Sequence, residues 1–378
     1  MKQRYLHFFA IAVLLGCLLS CQNGNGNSTP DDARSIEMQY ASLLALHQCE
    51  GYVSAEIKNP WDSTKILHRY ILVPKDQQLP ASLPKGDVVR TPLSHAVFYT
   101  SVHTSLINQL GAYSSIAGVC DVEYMYLDKL QKDVKTGKIS DCGKGVSPNI
   151  EKIIDISPDA ILLSPFENSG SYGKLGTLGI PIIECADYME TSALGRAEWM
   201  RFYGLLTGRE HEADSLFATI EKSYNDLKDL VKDVKVKPTV FTDMKFGASW
   251  YVAGVNSTVG HLLADAGAEY IFNDEPASGS VPYAPEVVFD RGQHADLWLI
   301  KYNQEAEMTY AQLANDWSSY TRLSAYQKHN VYACNLSKVP FYEETPFHPD
   351  LLLRDYITIF HPEVMKDKTL RYFSKMEK

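Results

Sequence analysis

Two stretches of this chain follow the same order of residue types, and that echo limits the fold more than any other feature. The first is Ser147-Pro-Asn-Ile-Glu-Lys-Ile-Ile-Asp-Ile-Ser-Pro-Asp-Ala-Ile-Leu-Leu163. Pro148 suits a first helical turn, and Glu151 places negative charge where a helix start favours it. Ile150, Ile153 and Ile154 form an apolar stripe, and Ala160 to Leu163 is a short apolar run between Pro158 and Pro165, the pattern of a buried strand. The second stretch runs from Tyr283 to Ile300: Pro285 stands for the early proline, Glu286 for Glu151, Asp296 for Asp159, and Leu297 to Ile300 for the strand. The preceding elements agree as well. Leu110-Gly-Ala closes one helical pattern before Ile116, and Ala266-Gly-Ala closes another before Tyr270. Two copies of one α/β unit predict two similar lobes with a crevice between them.

The ends of the chain set its surroundings. Lys2 and Arg4 precede the apolar run Phe8 to Leu19, which finishes in Leu18-Leu19-Ser20-Cys21, a lipoprotein signal peptide over residues 1–20. Cys21 would then begin the mature chain and carry lipid into a bacterial membrane, with the body in the periplasm. Residues 21–35 are rich in Asn, Gly, Ser and Asp and read as a flexible tether. A formal charge of -10 argues against nucleic acid, which requires a basic surface. Five cysteines remain in the body, Cys49, Cys120, Cys142, Cys185 and Cys334, so at least one is unpaired; Cys120 with Cys142 is the pair to watch.

In order along the body, residues 36–90 read as an N-terminal extension built on a hairpin of Tyr52 to Ile57 with Leu67 to Val73. Lobe one is expected over 91–187, following a first strand at Val88 to Thr91 whose exit loop carries His95, Phe98, Tyr99 and His103. A linking region spans 188–236. From Glu210 its apolar positions Ala213, Leu216, Phe217, Ile220, Tyr224, Leu227, Val231 and Val234 step by three or four, predicting a helix of about 25 residues, roughly 37 Å long. Such a helix would be a stiff spine between the lobes. Lobe two then covers 237–378, and its first exit loop, Asp243 to Ser257, holds Lys245, Trp250 and Tyr251 between Gly247 and Gly254. Aromatic rings and a cation at a strand exit are suited to meeting a ligand.

These residues resemble the class III substrate-binding proteins of ABC importers, which capture iron chelates, haem or cobalamin. The resemblance covers about residues 50 to 378 and rests above all on Asn149-Ile-Glu-Lys-Ile-Ile with Ser157-Pro-Asp-Ala-Ile. Asn59-Pro-Trp-Asp-Ser-Thr64 and Ala186-Asp-Tyr-Met-Glu-Thr-Ser-Ala-Leu-Gly-Arg196 look like a lipoprotein branch of that family concerned with iron complexes. The resemblance implies an α/β fold of two lobes joined by one long helix, a ligand in the cleft, and one glutamate per lobe docking to arginines of the permease. Carried over by motif, these are Glu151 and Glu286; around Glu286, Val and Phe stand where isoleucine or leucine is usual.

The leading expectation is capture of an iron complex of siderophore type, with haem or cobalamin as alternatives. Histidine could ligate iron, tyrosine stack on a ring and arginine pair with ligand carboxylates. The candidate cleft residues are His95, Tyr99, Tyr188, Arg196, Lys245, Trp250 and Tyr251, and no resident cofactor or metal is expected. Two other classes remain open. A zinc or manganese binder would need His95, His103 and His348 to converge. An exported hydrolase is opposed by Gly254-Val-Asn-Ser-Thr-Val-Gly260, whose spacing is wrong for a nucleophile elbow, and by the absence of HExxH and of a phosphate loop.

Overall fold

A computed structural model describes residues 34–167 and 172–377. The signal peptide, Cys21 and most of the tether lie outside the described residues.

The echo in the sequence is an echo in space. Lobe one is a sheet in the order Ile182–Glu184, Ala160–Leu163, Ala96–Phe98, Ile116–Val119, Ser140–Asp141, parallel throughout. Lobe two repeats the first four in the same order as Val331–Asn335, Leu297–Tyr302, Thr239–Thr242, Glu269–Tyr270. Its fifth strand, Ser374–Lys375, joins the opposite edge and runs antiparallel. The local devices are duplicated too. Asp159 Oδ2 accepts the backbone N–H groups of Ser94 and His95 at the start of the neighbouring strand, and Asp296 Oδ2 accepts that of Thr239. Helix Ser101–Gln109 closes with Gly111 at φ 75° and Ala112 N–H on Ile107 O. Helix Thr258–Asp265 closes with Gly267 at φ 76° and Ala268 N–H on Leu263 O. In both, a glycine takes the left-handed turn that a side chain would strain.

Two expectations about strands are corrected. Val88 to Thr91 is not the first strand of lobe one: Asp87–Thr91 runs parallel to Ile66–Pro74 at the edge of a five-stranded N-terminal sheet, where the Arg90 guanidinium bonds the carbonyls of Pro74, Lys75 and Gln77. The expected hairpin is the middle of this sheet, which also includes Arg34–Ile36 and Leu44–Cys49. Asp243 to Ser257 is not a plain loop either. It contains the hairpin Lys245–Phe246 with Ser249–Ala253, to which Ser280–Tyr283 adds a third strand.

Buried carboxylates attach the N-terminal sheet to the body. Glu198 accepts the N–H groups of Gln39, Tyr40 and Ala41, and Glu190 those of Ser42 and Leu43 together with the Trp199 indole. Each oxygen of the two buried carboxylates accepts at least one donor, so neither is left without a hydrogen-bond partner. The spine helix is Glu210–Val231, 22 residues and hence about 33 Å, with Ala213, Phe217, Ile220, Tyr224, Leu227 and Val231 on its buried face. It ends one turn earlier than the periodicity suggests, because the chain must turn before Pro238 to enter the Thr239 strand; Val234 still packs on the core from that turn. All five described cysteines are buried free thiols, Cys120 and Cys142 included.

Candidate functional site in the interlobe cleft

Helix Phe341–Glu344 of lobe two rests against helix Ser101–Gln109 of lobe one, and His348 Nε2 meets Gln109 Oε1 at 2.6 Å. This contact divides the space between the lobes. On one side lies a cavity of about 500 Å³ between Tyr126 and Asp128 of lobe one and Leu336 to Glu344 of lobe two. On the other lies a cavity of about 550 Å³ at the strand exits of lobe two, walled by lobe two and by Ala193 and Arg196 of the linking segment.

The wall of the second cavity is fixed by aromatic packing beneath it. Trp250 donates its indole N–H to Thr242 O at 3.0 Å and Trp298 donates to Asp243 O at 2.7 Å, so two successive carbonyls at the strand exit are pinned from below. Tyr320 accepts Lys245 N–H at 3.1 Å. What faces the cavity above this floor is amphipathic: Phe246, Tyr251 and Tyr342 are exposed, and Arg196, Lys245 and Lys301 add cations. Burial works to remove the proton from Lys301, but Asp243 at 2.6 Å more than offsets it and the pKa is raised, so the ammonium persists. Arg196 Nε bonds Asp187 Oδ2 at 3.1 Å, and the residue lines the cavity.

Of the seven cleft residues expected from the sequence, Arg196, Lys245 and Tyr251 come together here. Trp250 does not: it is 0% exposed, packed among Phe241, Trp298, Trp317 and Tyr320 as part of the core. In a strand, neighbouring side chains point to opposite faces, so Tyr251 points out because Trp250 points in. His95 precedes the Ala96–Phe98 strand instead of following it, and lies at the opposite end of lobe one in a depression lined by Tyr113, Lys138 and Asp155. Tyr99 sits at that strand's exit, half-buried, its pKa raised by burial and by Cys120. Tyr188 is partly exposed and donates to Pro165 O. Phe246 and Tyr342 are wall residues absent from the seven expected, although Phe246 lies in the Asp243 to Ser257 stretch expected to be an exit. The three histidines considered for a metal do not converge, since His103 is buried against Asp187, His348 is in the lobe contact and His95 is remote. Among the described residues no cluster of His, Cys, Asp and Glu is arranged to hold a metal ion. Ser257 caps a helix by accepting Gly260 N–H and donates to Gly254 O, which commits its hydroxyl to structure.

Glu151 and Glu286 occupy matching places. Each is exposed in the first turn of the helix that precedes a central strand, Ile150–Ile156 before Ala160–Leu163 and Pro285–Gly292 before Leu297–Tyr302. Beside them Ile154 and Val287 are exposed apolar side chains.

Two α/β lobes of matching strand order, a rigid helix joining them and an amphipathic cavity in the cleft define a bilobal solute-binding protein. The chain belongs to the periplasmic binding protein family, whose model matches residues 97–336. It is similar to an uncharacterized lipoprotein of Methanocaldococcus jannaschii, 26% identical across 96% of this chain and 93% of that one. A cobalamin-binding protein of Halobacterium salinarum is 24% identical across 61% of this chain and 60% of its own length. A solved structure described as a possible iron-binding, periplasmic solute-binding protein from Staphylococcus epidermidis shares the fold, with a TM-score of 0.55 at 20% identity over 71% of this chain and 99% of that one. The match begins at residue 97, so the N-terminal sheet precedes the family domain. Among the described residues no helix is long and apolar enough to cross a membrane.

Proposed function

We propose that this chain is a lipid-anchored solute-binding protein that captures an iron complex of siderophore type in the cleft and delivers it to the permease of an ABC importer. The observation that carries the reading is the cavity itself. At about 550 Å³ it is large enough for a metal chelate, and it combines exposed rings with Arg196, Lys245 and Lys301, which suits a partly aromatic ligand bearing negative charge. The solved structure described as a possible iron-binding protein shares the fold. Glu151 and Glu286 are the permease-docking residues in this proposal: two exposed carboxylates at equivalent helix starts, one per lobe, give register and steering on a basic partner. Lipidation at Cys21 holds the body at the membrane, as the lipoprotein relative suggests.

Cobalamin is the second reading, favoured by the cobalamin-binding relative. One experiment separates the two. The purified body is titrated with ferric tricatecholate, ferric trihydroxamate, haemin and cyanocobalamin, following intrinsic fluorescence and thermal midpoint. The proposal expects a ferric chelate to bind most tightly; a preference for cyanocobalamin or haemin replaces the iron reading, and no binding by any of the four overturns the assignment of the cleft.

A further inference from the structure

The ligand-facing Arg196 is the outermost member of a buried chain of hydrogen bonds that the function described so far does not use. Asp187, 1% exposed, accepts at both oxygens: Oδ2 from Arg196 Nε at 3.1 Å, Oδ1 from Tyr203 Oη at 2.8 Å and from His103 Nε2 at 2.9 Å. Behind His103, Nδ1 meets the Thr100 hydroxyl at 2.6 Å, and that hydroxyl caps the first helix of lobe one. Phe347 of lobe two covers the His103 and Tyr203 rings, with centroids 6.4 and 5.8 Å away. Each oxygen of Asp187 thus accepts from at least one donor, and the carboxylate is shielded from solvent. A guanidinium bound through Nε to such a fixed carboxylate keeps one plane and direction, whereas a free arginine would lose rotamer entropy each time it met a ligand.

We infer that Asp187 is a positioning residue for ligand capture: with His103 and Tyr203 it aims the Arg196 guanidinium into the cleft, so affinity for anionic ligands depends on a carboxylate that never touches them. The inference rests on the reading of the cleft as the ligand site.

The test pairs a ligand measurement with one that needs no ligand. Asp187→Asn should weaken binding of anionic ferric tricatecholate by about tenfold and change binding of neutral ferric trihydroxamate by less than about twofold. In an Arg196→Ala background the same substitution should cause no further loss. Independently, the Nε–H cross-peak of Arg196, assigned with Arg196→Lys, should be visible at neutral pH in the wild type and vanish in Asp187→Asn. Tyr203→Phe, which keeps the ring and removes one donor, should give a smaller loss and serves if Asp187→Asn does not fold. Equal losses for both chelates, multiplying losses in the double variant, or an unchanged cross-peak would each overturn the inference. If the wild type binds neither chelate, the ligand reading fails, while the cross-peak still decides whether Asp187 fixes Arg196.

Discussion

The two lobes have the same skeleton and different chemistry. In each, an aspartate just before a central strand ties down the start of the neighbouring strand, and a glycine closes the helix that follows that neighbour in the same turn. At the strand exits the likeness stops. The first exit of lobe one ends in half-buried Tyr99 above the thiols of Cys120 and Cys142, whereas the corresponding exit of lobe two projects a hairpin carrying Lys245, Phe246 and Tyr251 into the cavity. Duplication preserves what backbone geometry needs at strand starts and helix ends, and leaves the opposite edge free to diverge. In the described cavity, lobe two and the linking segment supply the walls, and lobe one reaches it through Asp187 and His103 behind Arg196.

If the skeleton is equivalent for the permease, the largest effect should come from breaking it symmetrically. Glu151→Arg with Glu286→Arg should abolish uptake by whole cells while the purified protein keeps its thermal midpoint and its chelate affinity, since both carboxylates are exposed. Each single substitution should give a partial defect of similar size. Uptake that is lost for one lobe alone would show that the lobes are equivalent in fold and unequal in docking.

The divergence of the exits is sharpened by two adjacent residues. Trp250→Ala should cost about 3 to 5 kcal/mol of stability, because a fully buried indole is replaced by a cavity and Thr242 O loses its donor. Tyr251→Ala should leave stability within about 0.5 kcal/mol and weaken ligand binding by about 1 to 3 kcal/mol. Denaturant unfolding and ligand titration of the two variants check this; a stable Trp250→Ala that binds poorly would return the indole to the cleft.

How far the sequence led can be read from the same residues. The repeat was legible because Gly111 and Gly267 meet a local backbone requirement at helix ends and because Asp159 and Asp296 recur at matching places before an apolar strand, although their backbone hydrogen-bond partners lie 57 to 65 residues away. The spine was legible because its buried positions recur at helical spacing. What failed depended on a register of one residue or on a distant partner. Trp250 and Tyr251 are both aromatic at a strand exit, and only the pleat and the rings beneath decide which faces out. The strand at Asp87–Thr91 looked like the opening of the lobe because nothing local says that it pairs with Ile66–Pro74. Asp187 lies in a stretch that carries the family resemblance, but nothing local gives it a role, since its partners lie up to 84 residues away.

The smallest expected effect compares the two strand-start aspartates. Asp159 accepts from Ser94 N–H, Ser94 Oγ, His95 N–H and Lys75 Nζ; Asp296 accepts from Thr239 N–H and Oγ1. Burial works to raise the Asp159 pKa, but Lys75 and the Ser94 and His95 donors hold it at about 2; that of Asp296 is lowered mainly by Thr239 N–H. A carboxyl whose folded pKa lies below its unfolded value adds stability above the unfolded value, and that stability is lost as pH falls through the folded one. Asp159→Asn should therefore cost about 2 kcal/mol at pH 7 and flatten the acid arm of the stability curve between about pH 4 and 2. Asp296→Asn, at an exposed site with fewer donors, should cost no more than about 1 kcal/mol and leave that arm nearly unchanged. Equal losses would mean that the backbone bonds common to both lobes carry the effect and that Lys75, supplied by the N-terminal sheet side of lobe one, adds nothing to it.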